Sequence, residues 1–110
     1  MKREEIIINS DIFYFKVTSF LQQNWALIEL GEKVTVWFIQ DGSGVFDKME
    51  FEDLDKAVFG LMRNGFKQHA DPNKNYAEFI HPPRRPFFAF PRKIYSSGEY
   101  WREERVRKKP

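Results

Sequence analysis

The chain of 110 residues contains no cysteine and only two histidines, and these shortages exclude several kinds of chemistry. Without a thiol there is no disulfide framework, no zinc–thiolate site and no cysteine nucleophile. Long apolar runs are also missing, because the longest, such as 25–28, fall far short of the roughly 20 residues that span a bilayer. The first residues mix acids with bases and do not resemble a secretory signal. We therefore predict a cytoplasmic protein, in agreement with the lack of disulfides.

Aromatic residues, in contrast, are abundant: 12 Phe, 4 Tyr and 3 Trp make up 17% of the chain. This content argues against a disordered chain, which would have few aromatic residues. A chain of this length encloses a single hydrophobic core. We predict one domain over residues 1–106, followed by a frayed basic tail at residues 107–110.

An antiparallel meander is predicted by four runs rich in β-branched and aromatic residues, at 12–18, 24–30, 33–40 and 45–51. The last two runs are separated by Asp-Gly-Ser-Gly, a turn sequence. The third run is apolar on both faces, since Val36 and Trp37 point to opposite sides of a strand. This third run should therefore be a central strand that a helix covers on one side.

A helix is predicted over residues 52–64, ending at the stop signal Asn64–Gly65. Acidic residues crowd its first turn, where the helix dipole favours them. Four apolar residues recur at helical spacing and form one stripe, namely Leu54, Val58, Leu61 and Met62. This stripe should pack against the sheet.

The region after the helix is less regular. Residues 66–70 and 76–80 are predicted to be two further short strands. Residues 81–91 contain four prolines, which remove backbone donors, so we predict an extended segment over the domain rather than a central strand. Phe87, Phe88 and Phe90 would anchor this segment. Ser96 and Glu99 have capping-box spacing, which permits a short C-terminal helix.

These elements together predict the α+β class. The predicted architecture is one antiparallel sheet of about four to six strands, with one principal helix on one face.

Charge is unevenly distributed along the chain. The formal net charge is only +2, but residues 41–60 contain six acids and two bases, whereas residues 61–110 contain twelve bases and five acids. The acidic stretch has two interpretations: ordinary helix-start and loop charges, or a surface that attracts a basic partner. The basic stretch is either solvated surface or a contact with phosphates or an acidic protein.

Candidate catalytic groups are few. Glu78 and His81 have a spacing used by metal ligands on helices, but Pro82 and Pro83 oppose a helix there. Ser43, His69 and an acid supply the residue types of a catalytic triad, but the nucleophile elbow that would support such a triad is missing from the sequence. We therefore predict no enzyme activity, no metal site and no cofactor.

Three stretches of the second half resemble small bacterial immunity proteins encoded beside contact-dependent growth inhibition and other polymorphic toxins. They are the helix end Arg63–Phe66, the run Phe79–Pro83 and the segment Ile94–Trp101. The resemblance implies a non-catalytic cytoplasmic antitoxin that binds a cognate toxin C-terminal domain and blocks it. Such toxins are often nucleases, and their inhibitors often present an acidic surface to the active site.

On this hypothesis, acidic residues and C-terminal aromatic anchors bind the toxin. The candidate residues are Asp41, Asp47, Glu50, Glu52, Asp53, Asp55, Tyr95, Tyr100 and Trp101. The alternative is a small nucleic-acid-binding module, although no known signature of such modules is present. Its candidate residues are Arg84, Arg85, Arg92 and Lys93. A third hypothesis is an assembly protein that uses an open sheet edge.

Overall fold

The meander predicted between residues 12 and 51 forms the centre of the protein. The computed structural model describes residues 4–19, 22–71, 73–74 and 76–89. Its elements in chain order are β1 Glu5–Ile6, β2 Ile12–Ser19, β3 Gln22–Glu29, β4 Val34–Gln40, β5 Gly44–Phe51, α1 Leu54–Arg63, β6 Lys67–Gln68, α2 Tyr76–Phe79 and β7 Phe87–Ala89. The α+β class is confirmed. Neither helix in these residues is long and apolar enough to cross a bilayer.

The sheet is larger than predicted and it is mixed. Seven strands of the described residues pair in the order β1-β7-β5-β4-β3-β2-β6. All neighbours are antiparallel except β5 and β7, which run parallel. The predicted count of four to six antiparallel strands was too low because β1 and β7, with two and three residues, were not predicted, whereas β6 lies within the short strand predicted at residues 66–70. Such short segments carry no readable alternation and become strands only through their partners.

The proline-rich segment was also predicted wrongly, since β7 lies inside the sheet between β1 and β5. Phe88 N donates to Ser43 O on one side at 3.0 Å, and Ala89 N donates to Glu4 O on the other at 2.8 Å. Prolines 82, 83 and 86 precede the strand, and none lies within Phe87–Ala89. The missing proline donors therefore do not interrupt the ladder.

Residues 76–79 form the short helix α2 instead of the predicted strand. Ile80 N donates to Tyr76 O at 2.7 Å, which closes one helical turn. Tyr76 and Ile80, four residues apart, then reach the same side of the turn and pack together against the sheet. A four-residue turn is too short for periodicity to distinguish it from a strand.

Helix α1 confirms the predicted principal helix, and the predicted stripe is confirmed in part. Leu61 is buried and Val58 packs against the same core cluster, whereas Leu54 and Met62 are 39% and 62% exposed. Ala57 and Gly60, which were not predicted to face the sheet, are the other buried residues of the helix. Asn64 is the C-cap, and Gly65 follows with φ 90°, as the stop signal requires.

Both faces of the sheet are covered by apolar clusters. On the first face, Ala57 and Leu61 of α1 pack with Ala26 and Phe38 of the central strands. On the second face, Ile8 and Phe87 pack with Trp25 and Ile39, and α2 lies against this group. The central strand β4 is therefore buried from both sides, as its two apolar faces predict.

One buried polar group in this core has no partner among the described residues, which generates a stability prediction. Asn24 is fully buried, and neither the nitrogen nor the oxygen of its side-chain amide hydrogen-bonds to a described residue. Because an unsatisfied buried amide costs about 1–3 kcal/mol, Asn24→Leu should raise the free energy of unfolding by a comparable amount. Urea denaturation measures this change.

Asn64 supplies the matched control for Asn24. It is also buried, but its amide nitrogen donates to Gly60 O at 2.8 Å. Asn64→Leu should therefore destabilise the protein while Asn24→Leu stabilises it. Equal destabilisation by the two substitutions would contradict the assignment of Asn24 as an unpartnered group.

Tyr14 generates a prediction about alkaline pH. Burial raises the pKa of its phenol above the usual value, because the charged form is poorly solvated in the core. The unfolded chain therefore ionises first as the pH passes about 10, so the stability falls from there until the folded-state pKa is reached. Urea titrations of wild type and Tyr14→Phe at pH values from about 8 to 11 should show a smaller loss for the variant. Parallel losses would contradict the prediction.

Candidate partner-binding surface

Carboxylates collect at one end of the sheet, because the meander returns to that end repeatedly. The start of β2, the end of β3, the start of β4 and the end of β5 meet there, through the pairs Ile12 with Ile28, Glu29 with Thr35 and Thr35 with Glu50. Helix α1 begins at the same end, directly after β5. We call this group the acidic end, and its members are Asp11, Glu29, Glu32, Glu50, Glu52, Asp53 and Asp55.

The acidic end is accessible and carries a net negative charge. All of its carboxylate residues are exposed except Glu29, which is half-buried. Among the described residues, the cations beside it are Lys33, Lys48, Lys56 and Arg85. Two of them pair with its acids: Lys56 Nζ with Glu52 Oε1 at 3.5 Å, and Arg85 Nη1 with Asp11 Oδ1 at 3.3 Å. Seven carboxylates against these four cations leave a local excess of negative charge.

Apolar side chains lie among these carboxylates. Leu30, in the turn between β3 and β4, is 57% exposed, and Leu54, the first residue of α1, is 39% exposed. Protein interfaces combine an apolar centre with a charged rim. The acidic end thus has both components of such a surface.

Trp37 lies beside the acidic end on the second face of the sheet. It is half-buried, and its Nε1 donates to Glu29 Oε1 at 3.0 Å. The ammonium of Lys48 lies 5.2 Å from the centre of its ring. An amphipathic tryptophan held between a carboxylate and a cation is the kind of residue that anchors protein interfaces.

The structure brings four of the predicted acidic residues together and separates two. Glu50, Glu52, Asp53 and Asp55 belong to the acidic end, whereas Asp41 follows β4 at the opposite end of the sheet. Seven residue steps along β5 separate these ends by roughly 23 Å. Asp47 is half-buried in mid-strand, opposite Phe38 on the face that α1 covers.

Asp41 and Asp53 accept hydrogen bonds that hold the fold together. Asp41 Oδ1 accepts from Trp25 Nε1 at 3.1 Å, and its Oδ2 accepts from Gln23 N at 3.0 Å. Asp53 is the N-cap of α1, and its Oδ1 accepts from Lys56 N at 2.8 Å. Both carboxylates therefore stabilise the fold whether or not they also contact a partner.

The residues predicted to bind nucleic acid also include both an exposed side chain and one that contacts its own chain. Arg84 is exposed. The neighbouring Arg85 binds the N-terminal segment instead: its Nη2 donates to Ile8 O at 3.0 Å and to Ser10 O, and its guanidinium lies 5.1 Å from the centre of the Phe87 ring. Arg92, Lys93, Tyr95, Tyr100, Trp101 and the permitted C-terminal helix lie outside the described residues.

The histidine and serine considered for catalysis make separate structural contacts. His69 Nε2 lies 2.6 Å from Ile80 O, so this nitrogen carries the proton and holds α2 near β6. Ser43 has φ 71° in the turn before β5, and its hydroxyl donates to Arg84 O. Within the described ranges, no three His, Asp or Glu side chains converge as metal ligands would.

Sequence reasoning missed Asp11, Glu29, Glu32 and Trp37 as surface candidates. The first three are isolated in the sequence and join Glu50 only through strand pairing. The predicted meander was sufficient to place these three acids near Glu50, because every second turn of an antiparallel meander lies at the same end of the sheet. Trp37 could have been found by asking what covers each face of β4.

Comparison with protein families, curated proteins and solved structures finds no match to this chain.

The hydrogen bonds of the acids predict which substitutions damage the fold. Asp41→Ala leaves the indole N–H of buried Trp25 without its acceptor and should cost about 1–3 kcal/mol. Asp53→Ala removes the helix cap and should cost about 0.5–2 kcal/mol. Glu50→Ala is the control and should change the stability by less than about 0.5 kcal/mol, since the residue is exposed.

Thermal unfolding of the three variants measures this order. If Glu50→Ala destabilised the protein as much as Asp41→Ala, the distinction between carboxylates that hydrogen-bond within the fold and the exposed Glu50 would be wrong.

Proposed function

We propose that this protein is an immunity protein, which binds and neutralises a cognate bacterial toxin domain of the nuclease class. The acidic end covers a basic substrate-binding surface of the toxin and keeps nucleic acid out. The protein acts in the cytoplasm of the cell that makes the toxin, and it does so by binding rather than by catalysis.

The observation that carries this proposal is the concentration of accessible carboxylates around Leu30 and Leu54 at one end of the sheet. A nuclease must bind phosphates, so its active site presents cationic side chains. Carboxylates held on a rigid sheet end can occupy the positions of those phosphates, and complementary charge also accelerates association. The apolar side chains supply the contact area that water-exposed charges alone do not.

The resemblance of the second half to immunity proteins supports the same function. The stretches 63–66 and 79–83 both lie in described parts of the structure. The third stretch lies outside them, so the contribution of Tyr95, Tyr100 and Trp101 remains part of the proposal.

The nucleic-acid alternative has less support from the described residues. Of its four candidate residues, Arg84 is exposed, whereas Arg85 binds Ile8, Ser10 and Asp11 of its own chain. A phosphate-binding surface needs several free cations on one face. Absence of retention on heparin at low salt would remove this alternative.

The proposal predicts that charge reversal at the acidic end weakens toxin binding. Bacteria that produce the toxin domain encoded by the adjacent reading frame should stop growing, and co-expression of this protein should restore their growth. Glu32→Lys combined with Glu50→Lys should raise the Kd for the purified domain at least about 100-fold, because each close charge pair contributes about 1.5 kcal/mol or more. Both residues are exposed and neither caps the helix, so the fold should be retained.

Glu4→Lys combined with Glu5→Lys is the matched control. These exposed residues carry the same charge, but Glu5 pairs with Phe88 of β7, which in turn pairs with Gly44 at the other end of β5. The control should leave the Kd unchanged, and wild-type affinity should fall as salt is added. Equal effects of the two double variants, or no protection of growth by the wild-type chain, would refute the proposal.

A further inference from the structure

The indole ring of Trp37 already holds a cation. The ammonium of Lys48 lies 5.2 Å from the centre of the ring, within the distance of about 6 Å at which the face of a tryptophan attracts a positive charge. Lys48 is the direct cross-strand partner of Trp37 and is exposed. The ring face under the ammonium therefore becomes accessible when this one side chain moves away.

Hydrogen bonds hold the ring in a fixed position. Its Nε1 donates to Glu29 Oε1 at 3.0 Å, and the other oxygen of the same carboxylate, Oε2, accepts from Asn9 N at 3.2 Å. The indole is thus tied through one carboxylate to the backbone that precedes β2. A side chain that is already ordered loses little freedom when it binds a partner.

Glu50 supplies a carboxylate next to this ring. Thr35 and Glu50 are cross-strand partners and form the next pair on the same face, towards the acidic end. Trp37 and Glu50 are therefore diagonal neighbours about 7–8 Å apart, which is within reach of long side chains. Glu50 is exposed, and no ion pair joins it to Lys48 or to another described cation.

We propose that Trp37 and Glu50 together bind the guanidinium group of an arginine of the toxin. The guanidinium stacks on the indole ring in place of the Lys48 ammonium, and its N–H groups donate to the Glu50 carboxylate. This inference rests on the proposed function and specifies which chemical group of the toxin the acidic end binds.

An arginine fits this site better than a lysine does. The guanidinium group is planar, stacks on aromatic rings and donates two parallel hydrogen bonds to a carboxylate, whereas an ammonium is a compact and strongly hydrated charge. An arginine therefore gains both contacts at once, which favours it over Lys48 at the ring. Because arginine is also a preferred side chain for phosphate recognition, its capture here withdraws it from the nucleic acid.

A double-mutant cycle tests whether Trp37 and Glu50 act on one bound group. Trp37→Leu and Glu50→Gln should each raise the Kd of the toxin domain, and their combined effect should be at least about fivefold smaller than the product of the separate effects. Glu32→Gln is the matched control, since Glu32 is an exposed carboxylate of the acidic end in the turn between β3 and β4. Its effect should multiply with that of Trp37→Leu to within about twofold. Circular dichroism verifies that each variant keeps the fold.

Removal of Lys48 tests the displacement. Lys48→Gln and Lys33→Gln each remove one positive charge beside the acidic end, but Lys48 also occupies the ring. Lys48→Gln should therefore lower the Kd of the toxin domain at least about threefold more than Lys33→Gln does. Equal effects of the two substitutions would show that only the net charge matters, and would overturn the proposed site.

A titration without the toxin separates this inference from the proposed function. N-acetyl-L-arginine amide, added at constant ionic strength, should shift the NMR signal of the Trp37 indole N–H, which is the signal that Trp37→Leu removes. N-acetyl-L-lysine amide should bind at least about threefold more weakly. Glu50→Gln should weaken binding of the arginine compound, whereas Glu32→Gln should leave it unchanged.

The two experiments fail in different ways. Toxin binding that depends on the acidic end but shows no coupling between Trp37 and Glu50 would refute the arginine site and leave the proposed function standing. A selective response to the arginine compound without any toxin binding would refute the proposed function and retain the site. Equal responses to the arginine and lysine compounds, or none, would overturn the site in either case.

Discussion

The two-sided burial of the central strands is the constraint on which the rest of the structure depends. Trp25, Ala26, Phe38 and Ile39 of β3 and β4 are fully inaccessible to solvent, although they point alternately to opposite faces. Such a sheet is stable only when both faces are covered. Helix α1 covers one face, and the segment around Ile8, α2 and β7 cover the other. The hydrophobic effect thus makes irregular segments as necessary to the fold as the long strands.

Several polar contacts among the described residues hold these covers in place. Asp53 caps α1, Arg85 ties the segment before β7 to residues 8–11, and His69 holds α2 through Ile80 O. Asp41 satisfies the indole of Trp25. Side chains that looked like candidates for binding or catalysis are therefore partly structural. Glu32, Glu50 and Asp55, which are exposed and make none of these contacts, lie together at the acidic end, which is why the proposed toxin contact is placed there.

The predicted elements held where a segment carries its own pattern. The runs that became β2 to β5 alternate over seven or eight residues, and α1 has a cap at each end. Predictions were wrong where a segment depends on a distant partner: β7 enters the sheet between β1 and β5 despite its proline-rich approach, and residues 76–79 form a helical turn. On α1, Leu61 and Val58 of the predicted stripe pack on the core, and the small residues Ala57 and Gly60 join this contact without having been predicted to face it.

The sequence by itself determined the α+β class, the central meander, the principal helix and the acidic character of residues 41–60, because each is encoded by neighbouring residues. Tertiary structure alone decided that Asp11, Glu29 and Glu32 join Glu50 while Asp41 lies at the far end of the sheet, since strand pairing sets distances that chain order does not contain. It also decided that Arg85 binds its own N-terminal segment. Local propensity acts over a few residues, whereas a surface is assembled from whatever the packed core brings to one place.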